Sequence, residues 1–157
     1  MRMTNATVFR VKMGGLETTD QITAAFRFRF DKLITQKNFP LTPKETPWED
    51  KIKIIDPGCS FSYAKGLQYL ADAKLDRPTY EHGIRLAKRI GKMTGSARKP
   101  FVIFLHEAWV GQYRFKYVIS LCRTTGAYSL GLANPDIGFD DRYVLAGVLP
   151  CKQSSVG

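Results

Sequence analysis

The sequence predicts an α+β fold: a single domain with a mostly antiparallel β-sheet and two consecutive central helices packed on one face of it. Three observations lead to this prediction. Segments that alternate between apolar and polar residues occur towards both ends of the chain, the middle has the apolar spacing of helices, and the elements follow the order β-β-β-α-α-β-β-β-β. With 157 residues in the chain, we expect one domain over residues 1–151 and a flexible tail at 152–157.

The first third of the chain predicts strands separated by an irregular connection. Residues 6–13 alternate between apolar and basic side chains and end at a Gly-Gly pair, which is typical of a half-buried strand. Residues 21–30 allow a helix up to Ala25, but three phenylalanines at spacing two favour a strand that pairs with the first as a hairpin. Residues 37–50 contain three prolines and predict a proline-rich irregular connection, before a short strand at 51–55.

The middle of the chain predicts two helices. Residues 61–75 have apolar side chains at helical spacing, and Ser60 or Ser62 is expected to cap the N-terminus of this helix. Proline is tolerated in the first turn of a helix, so a second helix is expected to start at Pro78 and to run to about Met93.

The last third of the chain is mostly strand. Residues 101–105 are apolar on both faces, as expected of a central strand. Residues 113–121 alternate, and 108–112 are expected to close a hairpin between these two strands. Further strands are expected at 127–132 and 143–149, with an acidic loop between them.

The composition narrows the class of protein. A hydrophobic content of 44% with 24% charged residues is typical of a globular chain with a core. Three scattered cysteines predict neither a disulfide framework nor a zinc site, and no metal or cofactor is expected. No apolar stretch approaches the roughly 20 residues of a membrane span, and no signal-peptide core is visible. We therefore expect an intracellular, cytoplasmic protein without a membrane partner.

The charge favours a polyanionic partner. Twenty-four basic and fourteen acidic residues give a net charge of +10 and a pI near 9.7. The excess is concentrated at residues 51–100, which have eleven basic and four acidic residues. Such an uneven excess points to nucleic acid, RNA or DNA, as the partner.

One basic pattern lies on and just after the second predicted helix. Four basic side chains at i, i+3, i+4 and i+7 form a stripe, and no acidic residue lies between Glu81 and Glu107. Like charges at this spacing destabilise an isolated helix slightly, and a polyanion would reverse the sign of that cost. An ordinary solvated helix face is the alternative. The candidate nucleic-acid contacts here are Arg85, Lys88, Arg89, Lys92, Arg98 and Lys99.

A second basic pattern recurs on predicted strands. Two basic residues flank an apolar one four times, so that each pair projects from the face opposite its apolar neighbours. The alternative is that exposed strand positions are often Lys or Arg for solubility. The candidate contacts are Arg10 and Lys12, Arg27 and Arg29, Lys51 and Lys53, and Arg114 and Lys116. The strand aromatics alternate out of phase with them and are expected to be mostly buried, whereas Trp109 could stack on a base or fold onto the core.

Catalytic signatures are weak. His106 and Glu107 at a strand end could support acid–base chemistry. A nucleophile elbow and a His-x-x-x-His zinc spacing are both absent from the sequence. We therefore predict that the protein is not an enzyme, with a metal-dependent nuclease as the minority alternative.

Together these patterns predict a small basic protein that grips the phosphate backbone of nucleic acid through the helix stripe and the basic strand faces, with low sequence specificity. The alternative is a structural or adaptor subunit, or an inhibitor, that docks on an acidic protein within a larger nucleoprotein assembly, for example a viral one. The choice between DNA and RNA, and between single and double strands, stays open.

Overall fold

A computed structural model describes residues 8–26, 29–89, 99–124 and 127–151. Over these residues the chain is an α+β structure with one eight-stranded mixed sheet and three α-helices. The strands are β1 (Val8–Gly15), β2 (Arg29–Phe30), β3 (Lys44–Ile55), β4 (Phe101–Ile103), β5 (Trp109–Val110), β6 (Lys116–Thr124), β7 (Ala127–Ala133) and β8 (Tyr143–Val148). The helices are α1 (Thr19–Ala24), α2 (Tyr63–Asp72) and α3 (Tyr80–Arg89).

The sheet has the strand order β1-β3-β8-β4-β6-β7-β2, and the short β5 pairs with β6. Strand β4 is parallel to β8, and β2 is parallel to β7, whereas the other described pairs are antiparallel. The central position predicted for residues 101–105 is confirmed, because β4 lies between β8 and β6. The last strand, β8, lies between β3 and β4 and so connects the pair β1–β3 to the rest of the sheet.

The two longer helices cover opposite faces of this sheet. Ile84 of α3 belongs to the same buried cluster as Phe104, whereas Leu70 of α2 belongs to a second cluster with Ile103 and Leu105. Successive side chains of a strand point to opposite faces, so the two clusters lie on the two sides of the sheet. The structure thus differs from the expected packing of both helices on one face. The physical reason is that a strand apolar on both sides needs cover on both sides.

The N-terminal segments also differ from their prediction. Residues 21–24 belong to helix α1, which begins with a capping box: the Thr18 hydroxyl accepts from the Gln21 N–H at 3.2 Å, and the Gln21 side chain accepts from the Thr18 N–H at 2.9 Å. The expected hairpin does not form. Strand β1 pairs instead with β3, and β2 pairs with β7 at the opposite end of the sheet.

The proline-rich segment is irregular only in its first half, because β3 already begins at Lys44 and includes Pro47. A proline lacks the N–H that a central strand would donate. Here Pro47 lies opposite a register shift between Met13 and Gly15 of β1, and β8 joins β3 only from Ile52. The sheet therefore tolerates the proline at a bulge in a two-stranded part.

Several local predictions are confirmed. The Ser62 hydroxyl caps α2 by accepting from the Lys65 N–H at 3.1 Å, and β3 ends at Ile55 as expected. Strands β7 and β8 lie in the segments predicted for them, whereas the strand expected from residue 113 starts only at Lys116. The end of the second predicted helix after Arg89 and the tail at 152–157 lie outside the described residues.

Candidate nucleic-acid interface

Strands β1 and β3 present basic side chains on one face. On β1, Arg10 and Lys12 are exposed while Val11 between them is buried, as the alternation predicts. On β3, Lys51 is exposed and Lys53 is half-buried, on either side of a buried isoleucine. Because residues directly opposite each other in paired strands share a face, the two predicted pairs lie together. We call Arg10, Lys12, Lys51 and Lys53 the basic strand face.

The register of this pair of strands places like charges side by side. Arg10 is directly opposite Lys51, and Lys12 is directly opposite Glu49. Like charges in directly opposite positions destabilise a sheet. The Arg10 Nε lies 3.9 Å from a Glu49 carboxylate oxygen, a long and exposed ion pair that offsets little of this repulsion.

A pocket of about 520 Å³ opens beside the edge strand β1, where α3 faces it. We call it the β1–α3 pocket. Four basic and two acidic side chains line it, together with backbone of the β1 bulge: Lys12, Arg85, Lys88 and Arg89, with Glu17 and Glu45. Since Lys12 belongs to both, the pocket is continuous with the basic strand face. The structure thus brings together residues from both predicted basic patterns.

Arg85 is the innermost basic group of this pocket. It is only 7% exposed, which corrects the prediction that it lies on an exposed helix stripe. Its Nη1 and Nε atoms lie 3.5 Å from Glu17 and Glu81 carboxylate oxygens, respectively. Among the described residues, the buried Nε has no hydrogen-bond partner. The burial follows from α3 packing against β1, a contact between segments far apart in the sequence.

The rest of the stripe is exposed and partly neutralised. Lys88 lies 2.7 Å and 2.9 Å from the two carboxylate oxygens of Glu17, and this interaction lowers the pKa of Glu17. The sequence of the helix does not show this partner of Lys88, because Glu17 comes from the segment after β1. Arg89 is exposed, and within the described ranges it forms no ion pair.

The other predicted contacts are dispersed. Lys99 forms a 2.9 Å ion pair with Asp56, and Arg29 is exposed on β2 at the far edge of the sheet from β1. Arg114 is not on a strand but in a short 3₁₀ turn, with φ of 62°. Lys116 lines a separate pocket of about 290 Å³ whose lining has mixed charge. The remaining predicted contacts, Arg27, Lys92 and Arg98, lie outside the described residues.

Trp109, expected either to stack on a base or to fold onto the core, packs against other aromatic rings of the protein. The half-buried Trp109 packs against Phe39 and Tyr117, at ring-centroid distances of 5.3 Å and 5.7 Å. Tyr113 and Phe115 are instead 87% and 51% exposed, although the alternation predicts their burial. The prediction is wrong because the chain turns at Tyr113, with φ of 59°, before β6 begins. No local signal beyond the preceding glycine marks that turn.

His106 is part of the core. Its Nε2 accepts from the Ile119 N–H at 2.8 Å, and its Nδ1 lies 2.7 Å from the carbonyl oxygen of Glu107, to which it donates. Burial lowers the pKa of His106 to about 4. The ring is therefore neutral near pH 7 and joins two strands at a point where the backbone ladder ends. Glu107 itself is exposed.

His82 fastens the start of α3 to β3. Its Nδ1 accepts from the Thr79 N–H at 2.9 Å, which leaves the proton on Nε2, 2.8 Å from Asp50 Oδ2. Both ring nitrogens are thus used in holding the helix. Within the described ranges, no three His, Cys, Asp or Glu side chains are grouped so that they could hold a metal ion.

Comparisons with known proteins do not add a family. No family model matches this chain, no curated protein matches its sequence, and no solved structure matches its fold. In the part of the chain that the structure describes, no helix has the length and apolar character needed to cross a membrane.

Proposed function

We propose that this protein binds nucleic acid through the phosphate backbone, on the surface formed by the basic strand face and the β1–α3 pocket. The observation that supports this most is the direct opposition of Arg10 and Lys51 on exposed strand positions. In the free protein this pair costs stability. A phosphate placed between the two cations turns the repulsion into two attractive contacts.

The charge around the pocket supports the same proposal. Lys12 and Arg89 are exposed and reach the pocket from the strand and helix sides, respectively. A backbone that follows the edge of β1 meets cations on both sides of that edge. Such contacts position a polyanion without reading its bases, so sequence preference is low.

The proposal is one of binding without catalysis. The two histidines of the chain make hydrogen bonds that hold strands and a helix in place. All four of their ring nitrogens are used in these hydrogen bonds, so none is free for proton transfer. Phosphate contacts by Lys and Arg release counterions, so affinity falls steeply with salt, with a log–log slope of about −0.9 per phosphate for duplex DNA.

The experiment is a fluorescence-anisotropy titration of matched single- and double-stranded DNA and RNA at several salt concentrations. Binding that weakens steeply with salt is the expected result, and the preferred strand type identifies the substrate. Absence of binding to all four probes at low salt would overturn the proposal. The basic surface would then be assigned to an acidic protein partner, which affinity capture would identify.

A further inference from the structure

We infer that the β1–α3 pocket binds a phosphate monoester, at the phosphorylated end of a nucleic-acid strand. The inference rests on the proposed function and adds the ligand class of one site to it. A strand end carries a different charge and shape from the backbone, so the two proposals can fail separately.

Arg85 supplies the main argument. Its side chain is 7% exposed, and its Nε is buried without a hydrogen-bond acceptor among the described residues. Its two ion pairs, to Glu17 and Glu81, are each 3.5 Å long. Charge-assisted hydrogen bonds are usually about 2.7–2.9 Å, so these carboxylates do not use the donors of the guanidinium fully. Arg85 lines the pocket, and an oxyanion entering it would accept hydrogen bonds from this guanidinium.

The charge of the lining fits a dianion. Four basic and two acidic side chains line the pocket; with Glu81, which lies 3.5 Å from Arg85 but outside the lining, the surplus is one positive charge, and it rises to two when Glu17 turns away. A phosphate monoester has nearly two negative charges at neutral pH, whereas a backbone diester has one. Lys88 gives its present hydrogen bonds to Glu17, whose side chain is 45% exposed and can turn to water when phosphate replaces it.

The burial of Arg85 favours a chain end. A diester phosphate has a sugar on each side, and both would have to enter for it to reach the buried Arg85. A terminal phosphate brings only one. The lining also includes Gly15, and the space beside its Cα is open, because an added Cβ would meet no heavy atom within 4 Å.

The test compares three oligonucleotides of one sequence: 5′-phosphorylated, 3′-phosphorylated and without a terminal phosphate. We expect one phosphorylated form to bind at least about tenfold more tightly, and inorganic phosphate to compete with that preference. Arg89→Gln and Lys88→Gln, both at exposed positions, should reduce the preference several-fold. Lys37→Gln and Lys65→Gln, also exposed but outside the pocket, are the matched controls and should leave it intact.

Arg85→Lys tests the buried group directly, with thermal melting as the check on folding, and should remove the preference while a positive charge is kept. If it does not fold, the two exposed variants decide. Equal affinity for all three oligonucleotides, with salt-dependent binding intact, would overturn the inference and leave the proposed function standing. Binding of inorganic phosphate without binding of any oligonucleotide would overturn both the proposed function and the inference of a strand-end site.

Discussion

Replacement of Lys51 by glutamine should make the protein more stable and a weaker binder at once. Lys51 lies directly opposite Arg10 on an exposed pair of strands, and Lys51→Gln removes that repulsion without removing a described ion pair. Charged pairs that face each other across two strands change stability by about 0.2–1 kcal/mol. Because salt screens exposed charges, the repulsion between Arg10 and Lys51 lies in the lower half of that range. We expect a gain of about 0.5 kcal/mol in the free energy of unfolding.

The gain is measurable by urea denaturation and by thermal melting. For a chain of 157 residues, 0.5 kcal/mol corresponds to a rise of about 1–2 °C in the melting temperature. The same variant should flatten the salt slope of duplex binding by about 0.9 units, if Lys51 contacts one phosphate.

Lys37→Gln is the control, since Lys37 is exposed on a loop away from the basic strand face. It should change neither the stability nor the salt slope by a comparable amount. Unchanged stability together with unchanged affinity for Lys51→Gln would show that Lys51 is an ordinary solvated strand residue and would contradict its role in phosphate binding.

Three further predictions concern the framework of the site. The free energy of unfolding should fall by about 3 kcal/mol as the pH drops from about 6.5 towards 4. Burial lowers the pKa of His106 to about 4, so the unfolded chain takes up the proton at a higher pH than the folded protein. Urea titrations of His106→Gln should lack this part of the pH dependence. Gly83→Ala should destabilise by about 1–3 kcal/mol in the same assay, since its Cβ would lie 2.7 Å from the side chain of Ile119. His82→Ala should cost about 1–3 kcal/mol by leaving the partly buried Asp50 unpaired, whereas an unchanged midpoint would show that this bond does not anchor α3.

Local signals in the sequence predicted the elements that depend on them. Ser62 caps α2 as expected, and the apolar residues on both faces of β4 place it in the middle of the sheet. The phenylalanine spacing favoured a strand over residues 21–30, whereas the structure has helix α1, which begins with a capping box formed by Thr18 and Gln21. Period-two spacing over three residues is weak evidence when a helix start precedes it.

The pairing of strands could not be predicted in the same way. Nothing in β1 identifies β3, some 30 residues later, as its partner, and the prolines near Pro47 argued against a strand there. The register shift opposite that proline is a tertiary feature. The side of the sheet that each helix covers likewise depends on how the chain crosses the sheet between α2 and α3.

The candidate site was predicted in part. Alternation placed Arg10 and Lys12 on an exposed face, which the structure confirms. Helical spacing placed Arg85 on the same stripe as Lys88, but packing against β1 buries it. Of its two ion-pair partners, Glu81 precedes it by four residues on the helix, whereas Glu17 lies in a loop that no periodicity connects to the helix. Contacts between distant segments decide which basic residues are free, and a local pattern does not contain that information.

The most direct test of a phosphate-binding surface around β1 is the salt dependence of duplex affinity for the wild-type protein and for the double variant Lys12→Gln, Lys51→Gln. We expect both proteins to be folded and the double variant to have a log–log slope shallower by about two units. An identical slope for the two proteins would contradict this expectation.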